Sequence, residues 1–251
     1  MKFDIYLPEN GLNEAGIALS NMIKDLDLGV AYADMLRIRV SGGAYKESVD
    51  RYYVAHENGI CYSRHWNGWG RHENAIGNFG HFFTIEEMRG KGIGKRLLEM
   101  WHEDLMLQSD KPLVLCCTAG ERPGKMYEPY GFLRVREGAN WGPMFMPLGD
   151  TPKNFRSLCD MYYEPSDTLI CRKATVEWRH EIDCLLKFAF FDRGLDFDIG
   201  DVSYLEAALL YHPNEAKLIF TEKGKCVGWI LGDEMRLYPA YNPKSIQHYE
   251  I

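Results

Sequence analysis

The sequence predicts an α/β fold: a mixed central sheet flanked by helices over residues 1–147, followed by a smaller α/β region over residues 148–251. Three observations predict it. An apolar run, Phe79 to Ile85, meets glycines at 90, 92 and 94, and beyond them Leu97, Leu98, Trp101 and Leu105 recur at helical spacing, which reads as strand, loop and helix. Strands and helices continue to alternate through residues 113–135. Glu57-Asn58-Gly59 lies between two strand-like runs, and Asn-Gly is a strong hairpin signal because both residues tolerate positive φ.

Taken in order, Phe3, Ile5 and Leu7 alternate with polar neighbours, a strand pattern closed by Pro8. From about Leu12 to Leu28, apolar residues at 15, 18, 19, 22, 23 and 26 follow helical spacing, with Gly29 as the stop. Met35 to Val40 fits a strand or a helix end, interrupted by Ser41-Gly42-Gly43. Tyr52 to His56 and Ile60 to Arg64 are the arms of the hairpin. The segment His65-Trp66-Asn67-Gly68-Trp69-Gly70-Arg71-His72-Glu73 reads either as the lining of an acceptor pocket or as an aromatic hairpin packed on the core. After the glycine loop and its helix, Leu113 to Cys117 is a strand. Pro123 suits the first turn of a short helix, Gly131 its exit, and Phe132 to Val135 the next strand.

Composition narrows the class. With 46% hydrophobic and 26% charged residues over 251 positions, the chain has the make-up of a soluble globular protein. It holds no apolar run long enough to span a bilayer, and Lys2 is followed at once by Phe3-Asp4 rather than by a signal segment, so a cytoplasmic location without a membrane partner is expected. A net charge of −7 argues against a nucleic-acid partner and weakly suits a cationic substrate. Seven cysteines with no C-x-x-C pair argue against a disulfide framework or a metal site, and Cys116-Cys117 read as buried thiols.

The glycine loop carries the chemistry. A strand running into a helix leaves the first helical amides without intrahelical partners, and the macrodipole favours an anion there. Glycines allow close backbone approach, while Lys91, Lys95 and Arg96 add positive charge. The run lacks the closing Gly-Lys-Ser/Thr of a P-loop.

Two motifs together resemble the GNAT superfamily of acetyl-CoA-dependent N-acyltransferases. The first, Arg89-Gly90-Lys91-Gly92-Ile93-Gly94, matches the family's pattern of Arg or Gln, two residues, Gly, one residue, then Gly or Ala. The second, Met126-Tyr127-Glu128-Pro129-Tyr130-Gly131-Phe132, is similar to its Leu-Tyr-x-x-x-Gly-Phe segment some thirty-odd residues downstream. The resemblance implies a GNAT-like fold, acetyl-CoA as acyl donor, no metal, and a small amine acceptor. It implies that Phe82, Phe83 and Thr84 lie along the pantetheine arm. The backbone N–H groups from Gly90 through Lys91, Gly92, Ile93 and Gly94 to Lys95, beside Arg89, would hold the pyrophosphate. Tyr127 falls where many members place the acid that protonates the departing thiolate; the alternative is an aromatic that only packs.

Departures from the family pattern are Gly120 in place of an asparagine, Pro123 in place of an alanine, Glu86 in place of a proline, and a strand at 113–117 without an acidic base. The candidate base is His81, with Glu73, Glu86 and Glu87 as others; His81 reads equally as a structural strand histidine, and deprotonation through water needs no dedicated residue.

Leu148-Gly149-Asp150-Thr151-Pro152 reads as a boundary. Beyond it come a short helix around Phe155 to Met161, a strand at Leu169 to Thr175, helices marked by Ile182 to Phe190 and by Val202 to Tyr211, and a hairpin over Lys217 to Leu231. This order is that of the opening half of a GNAT domain without a second glycine loop, which suggests a truncated repeat, with an unrelated appendage as the alternative. A half-domain leaves a sheet edge to be covered by the first domain or by a second subunit, so a homodimer stays open. Functions outside small-amine acetylation that the sequence allows are a protein amine acetyltransferase and a catalytically silent acyl-CoA sensor.

Overall fold

The computed structural model describes residues 1–24, 30–42, 46–199 and 204–248. It forms two compact units, Met1–Arg71 with Asn78–Lys111, and His72–Gly77 with Pro112–Ile251. The expected helix end at Leu28 and Gly29, the glycine at 43 and the helix start at Val202 lie outside the described residues.

In the first unit β1 (Lys2–Tyr6) leads to α1 (Glu14–Lys24) and α2 (Val30–Ser41). The ambiguous segment at 35–40 is helix because Ala33, Leu36 and Val40 recur on one buried face, a spacing no strand can satisfy. β2 (Ser48–Glu57) and β3 (Ile60–Gly70) make the expected hairpin, longer than its sequence signal, turning through Asn58 (φ 52°) and Gly59 (φ 77°). β4 (Ile76–Thr84), whose first two residues belong to the second unit, starts three residues before the apolar run. The strands lie in the order β1-β2-β3-β4.

Alternation along β2 and β3 gives this sheet two apolar faces. Tyr52 opposes Trp66 in register, and both join Tyr6, Ala15, Ala18, Leu19, Met22, Ile23, Leu36 and Val40 in the core under α1 and α2. Tyr53 opposes His65 on the other face, where α3 (Ile93–Leu107) buries Leu97, Leu98, Trp101 and Leu105. His65 lies 5.5 Å from the rings of both Tyr53 and Trp101, and burial pushes its imidazole down to about 3, so it is a neutral core group. Trp66 and Trp69 are likewise buried, which makes the tryptophan-rich segment a packed strand up to Gly70. Asp104 on α3 accepts two bonds from Arg51, at 2.7 and 2.8 Å, and one from the Tyr53 hydroxyl at 2.6 Å, fixing the helix to β2.

The second unit contains β5 (Val114–Ala119), α4 (Glu121–Tyr127), β6 (Leu133–Arg134) and β7 (Gly142–Pro147), with strand order β5-β7-β6. Next come α5 (Phe155–Tyr162), capped by Asn154, and β8 (Leu169–Lys173). A π-helical turn, Glu181–Leu186, continues as α6 (Lys187–Arg193), and α7 (Leu205–Tyr211) follows. β9 (Ala216–Thr221), β10 (Cys226–Leu231), β11 (Glu234–Leu237) and β12 (Ile246–His248) complete the chain. The second sheet has the order β11-β10-β9-β8-β12 and is mixed, since β12 runs parallel to β8 while the other pairs are antiparallel. The element order and strand order from β8 to β11 repeat those from β1 to β4. The edge of β8 is covered by β12, a strand whose polar sequence gave no signal.

The fold is thus α/β with helices on mixed sheets, as the sequence predicts. All seven cysteines are buried free thiols, including Cys116 and Cys117. Among the described residues no helix is long and apolar enough to cross a membrane.

Candidate functional site: the glycine loop and the end of strand β4

β4 is not a regular strand. His81 has φ 55°, a left-handed conformation that a non-glycine residue adopts only when its surroundings impose it, and it interrupts the alternation of side chains before Phe82. Its ring lies 4.8 Å from that of Trp66, and its Nε2 lies 3.1 Å from Arg39 Nη1. Arg39 is buried, its guanidinium 4.3 Å above the Trp66 ring and its Nε 3.9 Å from Asp50 Oδ1; Asp50 in turn accepts from Trp66 Nε1 at 2.8 Å.

The strand then closes on itself. Ser63 Oγ donates to the Phe83 carbonyl at 2.9 Å and meets Thr84 Oγ1 at 2.8 Å. Arg89 Nε donates to the Thr84 carbonyl at 3.0 Å, so this arginine ties the loop to the strand end. Between them Glu86–Met88 makes one 3₁₀ turn.

Gly90 and Gly92 both have φ 77°, a conformation favouring glycine, and Gly92 is the left-handed N-cap of α3. Arg96 N–H bonds to the Gly92 carbonyl at 3.1 Å, so the amides of Ile93, Gly94 and Lys95 precede the first helical bond and point out of the helix start. Gly94 has another reason to lack a side chain: a Cβ there would lie 2.7 Å from Phe82 Cζ and 3.6 Å from Thr84 Oγ1. The helix start therefore sits directly on Phe82 and Thr84. Lys91 and Lys95 are exposed, Lys95 lying 3.6 Å from Glu99, and Arg96 stacks 4.6 Å over Phe3. Oriented amides, a helix dipole and flanking cations make this loop able to hold a phosphate.

On the other face, a cavity of about 300 Å³ is lined by Ala18, Met22, Ile60, Cys61, Phe83 and Ile85.

In the second unit Tyr127 ends α4, buried, with its ring 5.8 Å from Phe132. Burial pushes its phenol upward, so the hydroxyl stays protonated and able to donate. Gly120, in the place of the expected asparagine, caps α4 in an extended conformation, and its carbonyl accepts from Arg134 Nη2 at 3.0 Å. Arg134 Nη1 also holds the Ala119 carbonyl at 2.8 Å, passing over Gly124, where a Cβ would collide with it. Sequence reasoning missed Arg39, Ser63 and Arg134. Arg39 reaches β4 from α2 and Ser63 from the neighbouring strand β3, 42 and 20 positions away, and Arg134 closes on the β5–α4 turn, so no local pattern announces them.

The sequence model of the acetyltransferase (GNAT) domain matches residues 48–134, which span β2 to β6. Solved structures similar to the chain include Escherichia coli ElaA (13% identity, 58% of this chain and 99% of that one, TM-score 0.42) and an acyl-CoA N-acyltransferase from Pseudomonas aeruginosa (16%, 58% and 98%, 0.41). A GNAT-family acetyltransferase from Staphylococcus aureus Mu50 is similar too (16%, 59% and 100%, 0.40). Comparison with curated proteins finds no match.

Proposed function

We propose that the chain is an acetyl-CoA-dependent N-acetyltransferase acting on a primary amine of a small molecule, by direct attack in a ternary complex. One observation carries the reading: a glycine loop with two left-handed residues sets the open amides of α3 against Phe82 and Thr84, inside the matched domain. In this reading the amides of residues 90–95 hold the pyrophosphate, with Arg89, Lys91 and Lys95 neutralising its charge, and Phe82, Phe83 and Thr84 line the pantetheine. The amine nitrogen attacks the thioester carbonyl, the C–N bond forms, and the C–S bond breaks. Tyr127 gives its proton to the leaving thiolate and is reprotonated from solvent. The proton of the amine leaves to water or to His81. Alignment of amine and thioester supplies much of the rate.

The domain division at 147/148 belongs to the same proposal. Residues 148–251 repeat the β1–β4 order without a glycine loop, which supports a truncated second copy that does not hold CoA.

The test is release of CoA thiol from acetyl-CoA over a panel of small amines and peptides. Turnover of a small amine that falls in Tyr127→Phe supports the proposal. Turnover of peptide amines alone moves the acceptor to proteins, and tight CoA binding without turnover over the whole panel replaces the enzyme by an acyl-CoA sensor.

A further inference from the structure

Side chains leave the end of β4 on two faces. Phe82 and Thr84 lie under the start of α3, where a Cβ on Gly94 would come within 4 Å of both, whereas Phe83 faces the cavity of about 300 Å³ beside α1, together with Ile85 just beyond the strand. α1 supplies Ala18, Asn21 and Met22, at spacings of three and four that put them on one helix face. The β2–β3 turn supplies Gly59, Ile60 and Cys61. Ser63 fixes the strand wall, since its hydroxyl donates to the Phe83 carbonyl and meets that of Thr84. Met22, unbranched and flexible, is the part of the wall that can adapt to an occupant.

The lining is apolar. Among the described residues none of its side chains is charged, and its polar side chains are the Cys61 thiol and the Asn21 amide. Asn21 Nδ2 donates to the Gly59 carbonyl at 3.4 Å, at the exposed rim. Burial pushes the Cys61 thiol up to about 12, so it stays protonated and inert. Ile60 is 54% exposed, and Phe83 and Ile85 are half-buried, so apolar surface faces water that an apolar group would displace. An adjoining hollow shares Gly59 but is lined by Lys2, Glu14, His56 and Glu57. Its charged lining is already matched: Lys2 pairs with Glu14, the N-terminal amine with Glu57, and His56 Nε2 lies 2.7 Å from Asp4 Oδ2. Volume sets the size of an occupant. An apolar cavity of roughly 150 Å³ holds one benzene, so about 300 Å³ suits a ring with a short side chain or an unbranched chain of about six carbons.

We propose that this cavity seats an uncharged apolar group of the acceptor amine, so that the chain acetylates alkyl or aryl amines in preference to hydroxylated or polycationic ones. The acceptor assignment rests on the acetyl-transfer reading; the affinity of the cavity for an apolar group does not. The two faces of β4 divide the reactants. The open amides of α3 lie on the face of Phe82 and Thr84, so in that reading the phosphates of the donor take that face and leave the Phe83 face to the acceptor.

Two measurements on the full chain test this. Methionine-methyl ¹³C spectra, with Met22 assigned by its loss in Met22→Leu, report occupation of the cavity without any reaction. The unreactive probe n-hexanol should shift the Met22 methyl saturably, and ethanol at the same concentration should not. Ala18→Met, which fills the cavity, should abolish the shift. Ile60→Gln, at the exposed rim, should weaken it several-fold and keeps the test open if the Ala18 variant does not fold. Thiol release from acetyl-CoA should give a kcat/KM that rises about threefold per methylene from ethylamine to n-hexylamine, amines of nearly equal basicity, and the gradient should flatten in both variants. An unshifted Met22 methyl, or a gradient that persists in folded Ala18→Met, overturns the proposal. So does a Met22 shift produced by hexanoyl-CoA together with faster transfer of hexanoyl than of acetyl groups, because the cavity then serves the donor. The expected shift with no amine turned over supports the apolar site and overturns the acetyl-transfer reading instead. Turnover with neither gradient nor shift leaves that reading standing and overturns this one.

Discussion

The carboxyl of Glu181, buried in the π-helical turn, accepts the backbone N–H of Ile76 at 2.8 Å. His72, stacked on Trp178 with ring centroids 3.8 Å apart, brings its Nε2 to 3.3 Å from the same oxygen. Burial pushes Glu181 up to about 8 and His72 down, so the pair is neutral near pH 7. Asp183, two residues on in the same turn, accepts from the Leu205 amide at 2.9 Å and is also pushed up to about 8 by burial.

Both carboxyls therefore bind protons more tightly folded than unfolded. Their contribution to stability is fully present below the unfolded value of about 4.3 and is lost as pH rises through about 8. Each group should cost at most about 1.4 kcal/mol per pH unit across that window. Glu181→Gln keeps the acceptor oxygen for Ile76 and removes the titration. Its Tm relative to the parent should rise between about pH 5 and 8 and level off above that, and the Glu181→Gln/Asp183→Asn double variant should flatten the curve further; a parallel decline in parent and double variant refutes the assignment.

The glycines of the loop should respond differently to alanine. Gly90 faces open space, so Gly90→Ala costs only the left-handed backbone, about 1–2 kcal/mol. Gly94→Ala drives a methyl into Phe82 and should cost about 1–3 kcal/mol while raising KM for acetyl-CoA. Thermal unfolding of Gly94→Ala/Phe82→Leu should recover much of that loss; failure to recover it would show that the two residues are not in contact.

Tyr127→Phe should lower kcat about 100-fold, the low end for a lost general acid, and leave the unfolding temperature within a few degrees of the parent. Because burial raises the phenol, the parent should show no alkaline loss attributable to Tyr127 below about pH 10. A pH–rate profile of both proteins measures this.

Asp104→Asn keeps the shape of the side chain but leaves the Arg51 guanidinium, 13% exposed, without its charge partner. A loss of about 3 kcal/mol is expected by chemical denaturation, with an unchanged m-value.

The glycine loop, the α3 helix and the β2–β3 turn were legible because each depends on residues adjacent in sequence. Gly90, Gly92, Asn58 and Gly59 adopt positive φ, as residue types suited to it should. The tryptophan-rich segment was not decidable: the same aromatics serve a pocket or a core, and only the register Tyr52↔Trp66 puts Trp66 in the core. Residues 35–40 carried a run that either period fits. β12 was invisible because its pairing partner, β8, lies far away in the chain and supplies most of the reason for its being a strand. The proposed site was partly legible: the motifs pointed to Tyr127 and the loop, while His81 drew notice as an ionisable residue with no sign of the arginine beside it.

The sequence by itself determined the conformations that sterics impose on a few neighbouring residues, and with them the left-handed glycine loop and the strand–loop–helix order. Tertiary structure decided the charge states. Glu181 meets Ile76 across 105 positions and Asp183 meets Leu205 across 22, and whether a carboxyl is charged depends on how far folding withdraws it from water and on which dipoles and cations it brings close.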